Sequence, residues 1–224
     1  MKAIFSTLAT ALLAGVFVTG CGTNFESDDL AERLYSNNCA QCHAIDGSGN
    51  KSIAAPAIAG LPDWYIERQL NYFYDGQRGK HPEDVEGLKM RPMARTFIDR
   101  RDKIPLVSSY ISRLRKTKHR TSLEGGVAEN GRMTYVAVCQ NCHGENGEGI
   151  ANSDQYPELP NFAPPLTSTN DWYLLNQLKK FKNGIRGVHP DDEYGTAMAN
   201  MVLVLADEQA MRDVIAYIKT LEED

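Results

Sequence analysis

The sequence Cys39-Ala-Gln-Cys42-His43 occurs again one hundred positions later as Cys139-Gln-Asn-Cys142-His143. In a protein exported to an oxidising compartment, Cys-x-x-Cys-His is the attachment signature of c-type haem. Each thiol bonds to one vinyl group of the haem, and the histidine supplies an axial nitrogen to the iron. Two copies predict two covalently bound haem c groups. The predicted cofactor-binding thiols and proximal iron ligands are Cys39, Cys42, Cys139, Cys142, His43 and His143.

The two motifs lie in two copies of one larger unit. From Pro56 to Met93 the first copy matches the second at a constant offset of 108, and self-similarity of this kind indicates repeated structural units. The second copy carries eight extra residues after its haem motif, centred on Asn152 to Pro160. We therefore predict a first domain at residues 21–118, a linker at 119–126 and a second domain at 127–224.

Apolar residues recur with helical periodicity in both copies, and no alternating strand pattern is convincing. Gly76 and Gly184 follow the central helix of each copy and are expected to end it. The predicted fold class is all-α. The predicted helices are Ser27–Tyr35, Trp64–Phe73 and Ile104–Leu114 in the first copy, and Asn130–Val138, Trp172–Phe181 and Glu208–Leu221 in the second.

A haem in an electron carrier requires a second axial ligand, and a methionine pair recurs in register in the two copies. The pairs are Met90 with Met93, and Met198 with Met201. A thioether is a soft ligand that stabilises Fe(II), although a methionine can also simply fill a core. Only one sulfur of each pair can reach the iron.

His81 and His189 are alternative ligands, because each precedes the first methionine of its pair by nine residues. The competing interpretation is a loop histidine that hydrogen-bonds a haem propionate or the backbone, helped by Arg78 or Arg186. The methionine pair competes for the same position on the iron, which favours the second interpretation.

Pro56 and Pro164 occupy the same register ahead of the central helices. An iron-bound histidine is usually oriented by a carbonyl that accepts a hydrogen bond from its other ring nitrogen. The segments around these prolines are candidates for that carbonyl, or the prolines merely stiffen the loop.

The amino terminus has a charged start, an apolar middle and small residues before Cys21. This pattern predicts a secretory signal at residues 1–20, and Val18-Thr19-Gly20-Cys21 is similar to the lipobox of bacterial lipoproteins. Cys21 would then be acylated and hold the protein on a membrane surface. By resemblance to lipoprotein sorting rules, Gly22 after the cysteine favours the outer membrane. The alternatives are a plain signal peptide or an uncleaved membrane anchor.

These residues resemble the class I cytochromes c, and the two-domain arrangement resembles the diheme cytochrome c-four family. The shared features are Cys-x-x-Cys-His after an aromatic helix, Asp-Trp-Tyr-x-x-x-Gln-Leu after a proline, and Met-x-x-Met before the last helix. The resemblance implies that the first methionine of each pair, Met90 and Met198, is the ligand. It also implies that the two haem domains face each other and exchange electrons.

The sequence thus predicts a periplasmic electron carrier with two His/Met haems and no enzyme activity of its own. We expect a quinol-oxidising complex or dehydrogenase as donor and a terminal oxidase or reductase as acceptor. The net charge of −5 argues against a nucleic-acid partner. Residues 22–118 hold 15 Lys and Arg against 13 Asp and Glu, whereas residues 119–224 hold 8 against 16. The second domain therefore either attracts a basic partner or has an ordinary solvated acidic surface. The rival functions are a diheme peroxidase and a gas-binding sensor haem.

Overall fold

The computed structural model describes residues 23–96, 101–116, 121–150 and 163–221. The predicted signal peptide, its Cys21 and the insertion at 152–160 lie outside these residues. The described part of the chain is mostly helical, and its β contacts are two isolated bridges, Asn50 with Ala55 and Ile150 with Ala163. The all-α prediction is confirmed.

Each copy folds into the same series of helices. A π-helical turn, Tyr35–Cys39 in the first copy and Tyr135–Cys139 in the second, joins the first helix to the short helix that carries the haem motif. The helices of the first copy are α1 (Thr23–Leu34), α2 (Ala40–His43), α3 (Asp63–Asp75), α4 (Val85–Thr96) and α5 (Ile104–Arg113). Those of the second copy are α6 (Ala128–Thr134), α7 (Gln140–His143), α8 (Asp171–Lys182), α9 (Glu193–Met201) and α10 (Glu208–Thr220).

The three predicted helix pairs are present, and the structure adds a pair that the periodicity did not predict. These are α4 and α9, which carry the methionine pairs. Pro92 lies inside α4, and such a residue argues against a helix interior. An aspartate nevertheless caps the start of each of these two helices. Asp84 accepts a hydrogen bond from the Gly87 N–H at 3.1 Å, and Asp192 accepts one from the Gly195 N–H at 2.8 Å. Asp-x-x-Gly was therefore the available sequence signal.

Each copy has its own hydrophobic core, centred on the buried tyrosine that precedes its haem motif. The ring centroids of Tyr35 and Tyr110 lie 5.4 Å apart, and those of Tyr135 and Tyr217 lie 5.3 Å apart. The two cores do not share residues, which is the arrangement of two domains. The core of the first copy includes Leu61, Ile66, Ile104, Val107 and Ile111, and that of the second includes Leu174, Leu175, Val202, Val214, Ile215 and Ile218.

The first and last helices of the second copy cross at very close range. A Cβ placed on Gly131 of α6 would lie 2.0 Å from the carbonyl oxygen of Asp213 in α10. At the equivalent position the first copy has Ala31, which is 2% exposed. The crossing of α6 with α10 therefore requires glycine, whereas the crossing of α1 with α5 accommodates one methyl group.

A pair of arginines joins the two copies in a nearly symmetric way. Arg78 donates to Gln69 of its own copy at 2.6 Å and to Gln177 of the other at 3.3 Å. Arg186 donates to Gln177 at 2.6 Å and to Gln69 at 3.1 Å. Because these residues match at the offset of 108, the interface is built from the same positions of both copies.

Candidate haem sites

The proximal side of each site is built by the π-helical turn and the short helix after it. The Tyr35 hydroxyl donates to the carbonyl of Ala44 at 2.6 Å, and that of Tyr135 donates to the carbonyl of Gly144 at 2.7 Å. Each tyrosine thus fixes the chain directly after the motif histidine. His43 and His143 are buried, at 7% and 8% exposure.

Both motif histidines are oriented by a proline carbonyl, as one of the two interpretations of those prolines predicts. The Nδ1 atom of His43 lies 2.8 Å from the carbonyl oxygen of Pro56, and that of His143 lies 2.9 Å from Pro164. Burial lowers the pKa of both imidazoles, and the hydrogen bond to the carbonyl opposes this only in part. Each ring is therefore a neutral imidazole whose Nε2 is left for a metal.

The four motif cysteines line the same cavity as the histidines. Burial, reinforced by the neighbouring Cys42, raises the pKa of the Cys39 thiol to about 11. The pKa of Cys139 is raised to about 11 in the same way, by burial and by Cys142. Burial thus disfavours the thiolate form of Cys39 and Cys139, which does not suit a reactive redox dithiol.

A single cavity of about 590 Å³ runs through both copies and is mostly apolar. Both histidines and all four methionines of the two pairs line it. Within the second pair, Met198 is half-buried and packs against the hydrophobic core, whereas Met201 is 46% exposed. The difference favours Met198 as the residue that faces the cavity interior.

The cavity fits haem c in its polar groups as well as its apolar walls. The Nε atoms of Arg78 and Arg186 are buried and have no hydrogen-bond partner among the described residues. Both guanidinium groups line the cavity and lie 4.5 Å from the ring centroids of Phe73 and Phe181, respectively. A haem carries two carboxylates, and buried arginine donors without acceptors are suitable partners for them.

His81 and His189 lie outside the residues that line this cavity. Their Nδ1 atoms accept hydrogen bonds from the backbone N–H groups of Glu83 and Asp191, each at 3.2 Å. The structure therefore agrees with the loop interpretation of these histidines and not with bis-histidine ligation. Arg78 and Arg186 both donate to Gln69 and Gln177 at the interface between the copies.

A buried ion cluster that no sequence motif predicts lies between the two copies. The Nζ atom of Lys180 lies 2.6 Å from Asp84 and 2.5 Å from Glu86. Burial alone would raise the pKa of Asp84, but the hydrogen bond and charge of Lys180 outweigh it and hold that pKa below its usual range. The counterpart of Lys180 is Tyr72. This difference between the two copies is the sequence feature that points to a special role for Lys180.

Comparison with known proteins agrees with this geometry. The family model described as cytochrome c matches the chain twice, at residues 29–115 and 128–222. The chain belongs to the cytochrome c family, and its two domains bind two covalently attached haem c groups. It is a dihaem electron carrier of the type represented by cytochrome c4.

Two curated relatives and one solved structure give the range of similarity. The chain is 26% identical over 229 residues to cytochrome c-552 of Acidithiobacillus ferridurans, covering 97% of this chain and 86% of that protein. It is 27% identical over 162 residues to the thiosulfate dehydrogenase electron acceptor of Thiomonas intermedia (strain K12), covering 68% of this chain and 66% of that protein. The structure of cytochrome c4 from Acidithiobacillus ferrooxidans superposes with a TM-score of 0.63 at 25% identity, covering 83% of this chain and 99% of that chain.

Among the described residues, no helix is both long enough and apolar enough to cross a bilayer.

Proposed function

We propose that the protein is a periplasmic electron carrier in which His43 and Met90 ligate one haem iron, and His143 and Met198 ligate the other. The observation that supports this most directly is the single cavity lined by both haem motifs and both methionine pairs. Two haems bound in this one cavity would lie close to each other, which would suit electron passage within the chain. When bound, haem c supplies a one-electron Fe(III)/Fe(II) couple.

Equivalent residues have the same proposed roles in the two haem sites. The thiols of Cys39 and Cys42, and those of Cys139 and Cys142, form the thioether attachments. The proline carbonyls hold the imidazoles with Nε2 free, and the tyrosine before each motif holds the end of the motif helix. With a histidine and a methionine as strong ligands, the coordination of each iron would change little between oxidation states.

We propose no catalytic activity for the chain itself. A dehydrogenase or quinol-oxidising complex is the proposed donor, and a terminal oxidase or reductase is the proposed acceptor. The relative described as a thiosulfate dehydrogenase electron acceptor supports a dehydrogenase as the donor. The surplus of acidic residues after residue 118 supports a basic partner for the second domain.

The ligand assignment is tested by the weak far-red absorption of Met–Fe(III) in the oxidised holoprotein. Met90→Ala and Met198→Ala should each remove half of this band, whereas the matched controls Met93→Ala and Met201→Ala should retain it. If a control variant loses half of the band and its partner does not, the ligand is the second methionine of that pair. Binding of carbon monoxide to the reduced wild-type protein would contradict His/Met ligation of both haems and favour the peroxidase or the gas sensor.

The domain limits 21–118 and 127–224, the linker 119–126 and the lipid anchor also remain proposals. Cys21→Ser should release the protein from the membrane fraction into the periplasmic fraction, because the acylated residue is lost. Mass spectrometry of the mature wild-type protein should find acyl chains on Cys21. Wild-type protein that fractionates entirely as periplasmic would contradict the anchor, and its presence in the inner membrane would contradict the outer-membrane assignment.

A further inference from the structure

One peptide unit connects the second domain to the proximal histidine of the first haem site. The N–H of Ala57 donates to the side-chain oxygen of Asn170 across the domain interface, at 2.7 Å. The carbonyl of the same peptide unit belongs to Pro56 and accepts the hydrogen bond of His43 Nδ1 at 2.8 Å. The order of groups is therefore Asn170, the Pro56–Ala57 peptide and the His43 imidazole.

Asn170 stands at a position where asparagine ordinarily serves its own helix. It is the N-cap residue of α8, and an N-cap asparagine usually accepts a hydrogen bond from the second or third N–H of that helix. Its side chain makes no such bond here. The adjacent Asp171 accepts instead from the backbone N–H of Trp172, at 2.6 Å. The amide of Asn170 is therefore available for the other domain.

The second haem site has no equivalent of this contact. The counterpart of Ala57 at the offset of 108 is Pro165, which has no N–H to donate, and the counterpart of Asn170 is Pro62. The proximal hydrogen bond itself is present at both sites, with lengths of 2.8 and 2.9 Å. The two sites thus share the hydrogen bond between the histidine and a proline carbonyl. They differ in the N–H of that proline's peptide unit, which donates to the other domain at the first site and is replaced by a proline nitrogen at the second.

We propose that Asn170 is a positioning residue that lowers the reduction potential of the first haem. The hydrogen bond that the peptide N–H donates to Asn170 polarises the peptide and makes its carbonyl a stronger acceptor. A stronger acceptor at Nδ1 raises the basicity of the imidazole, which stabilises the oxidised iron. The inference rests on the proposed ligation of the first iron by His43.

The test is a spectroelectrochemical titration of the purified holoprotein, with Asn170→Ala, Asn170→Ser and Asn170→Asp compared with the wild type. Serine is a good N-cap but is too short to reach Ala57, so it provides a well-folded loss variant if alanine weakens α8. We expect both loss variants to favour reduction of one haem by about threefold, which is roughly 30 mV for a one-electron couple at 59 mV per tenfold. Asn170→Asp retains an acceptor oxygen and should not raise that potential.

Pro62→Asn is the matched control, because it places an amide at the equivalent position opposite Pro165. Neither potential should change in this variant. The haem that responds to Asn170 is identified by repeating the titration in the Met90→Ala and Met198→Ala backgrounds. Each of these variants removes the far-red absorption of one haem and leaves that of the other. A first-haem potential that stays within the shift of the control, or an equal shift of both haems, would overturn the proposal. If the far-red bands are absent from the wild type, the ligand assignment itself fails, which distinguishes the two outcomes.

Discussion

Lys180→Met should destabilise the protein far more than the same change at its neighbour Lys179. The side chains of Lys180 and Asp84 are 6% and 4% exposed, so the variant leaves a buried carboxylate without its main partner. Breaking a buried pair by removing one member costs about 3–5 kcal/mol. Asp84 keeps its hydrogen bond from the Gly87 N–H, and methionine retains most of the lysine stem. We therefore expect a loss of about 3 kcal/mol, at the lower end of that range.

The assay is urea unfolding of the holoprotein followed by far-UV circular dichroism, with the transitions of the two domains fitted separately. Lys179→Met is the control, because Lys179 pairs with Glu208 at the surface, where the two side chains are 40% and 43% exposed. Such a pair contributes about 0–1 kcal/mol. In the double variant Lys180→Met/Asp84→Asn a neutral amide replaces the carboxylate, and at least half of the lost stability should return. Equal losses in the two single variants, or no recovery in the double variant, would refute the importance of this cluster.

Three further predictions follow from local geometry. Gly131→Ala should destabilise the second domain by about 1–3 kcal/mol in urea unfolding, because its Cβ would meet the Asp213 carbonyl at 2.0 Å; no loss would show that the helices can separate freely. Asp171→Ala should lower the unfolding free energy by about 1–3 kcal/mol, since the backbone N–H groups of Ser122 and Leu123 lose their acceptor; Asp63→Ala, at the equivalent position, is the control. Acid should destabilise the protein below about pH 4. Burial alone would raise the pKa values of Asp84 and Asp171, but the hydrogen bonds that they accept from Lys180 and Ser122 outweigh burial and hold both pKa values below their usual range. The unfolded chain then binds more protons than the folded one, and unfolding free energy that stayed constant from pH 6 to pH 3 would contradict this.

The sequence predicts the proximal side of each site well because the relevant spacing is short and written twice. Two thiols and a histidine lie within five residues, and the proline register repeats in both copies. The prediction of a proline carbonyl behind each histidine is confirmed at 2.8 and 2.9 Å. The predicted helix ends differ from the observed ones, because the first helix of each copy continues through a π-helical turn that has no periodic signature.

The contacts between the copies could not be predicted, since they join residues far apart in the chain. Lys180 and Asp84 are 96 positions apart, and Asn170 and Ala57 are 113 apart. Apolar periodicity reports which face of a helix is buried but not which helix covers it. The sequence around Arg78 and Arg186 likewise does not indicate that each arginine also donates to a glutamine of the opposite domain.

The duplication itself explains why the two haem sites do not remain equivalent once the domains pack together. Where both partners of a contact are retained, as for the Arg78 and Arg186 pair, the interface is symmetric. A contact across the interface involves two different positions, so each pair of positions occurs twice and each occurrence can change independently. Asp84 pairs with Lys180, whereas the equivalent Asp192 accepts a hydrogen bond from the Tyr72 hydroxyl. Burial, reinforced by the charge of Asp192, raises the pKa of Tyr72 to about 12. The interface, and not the haem motifs, is therefore where the two copies have acquired different electrostatic surroundings.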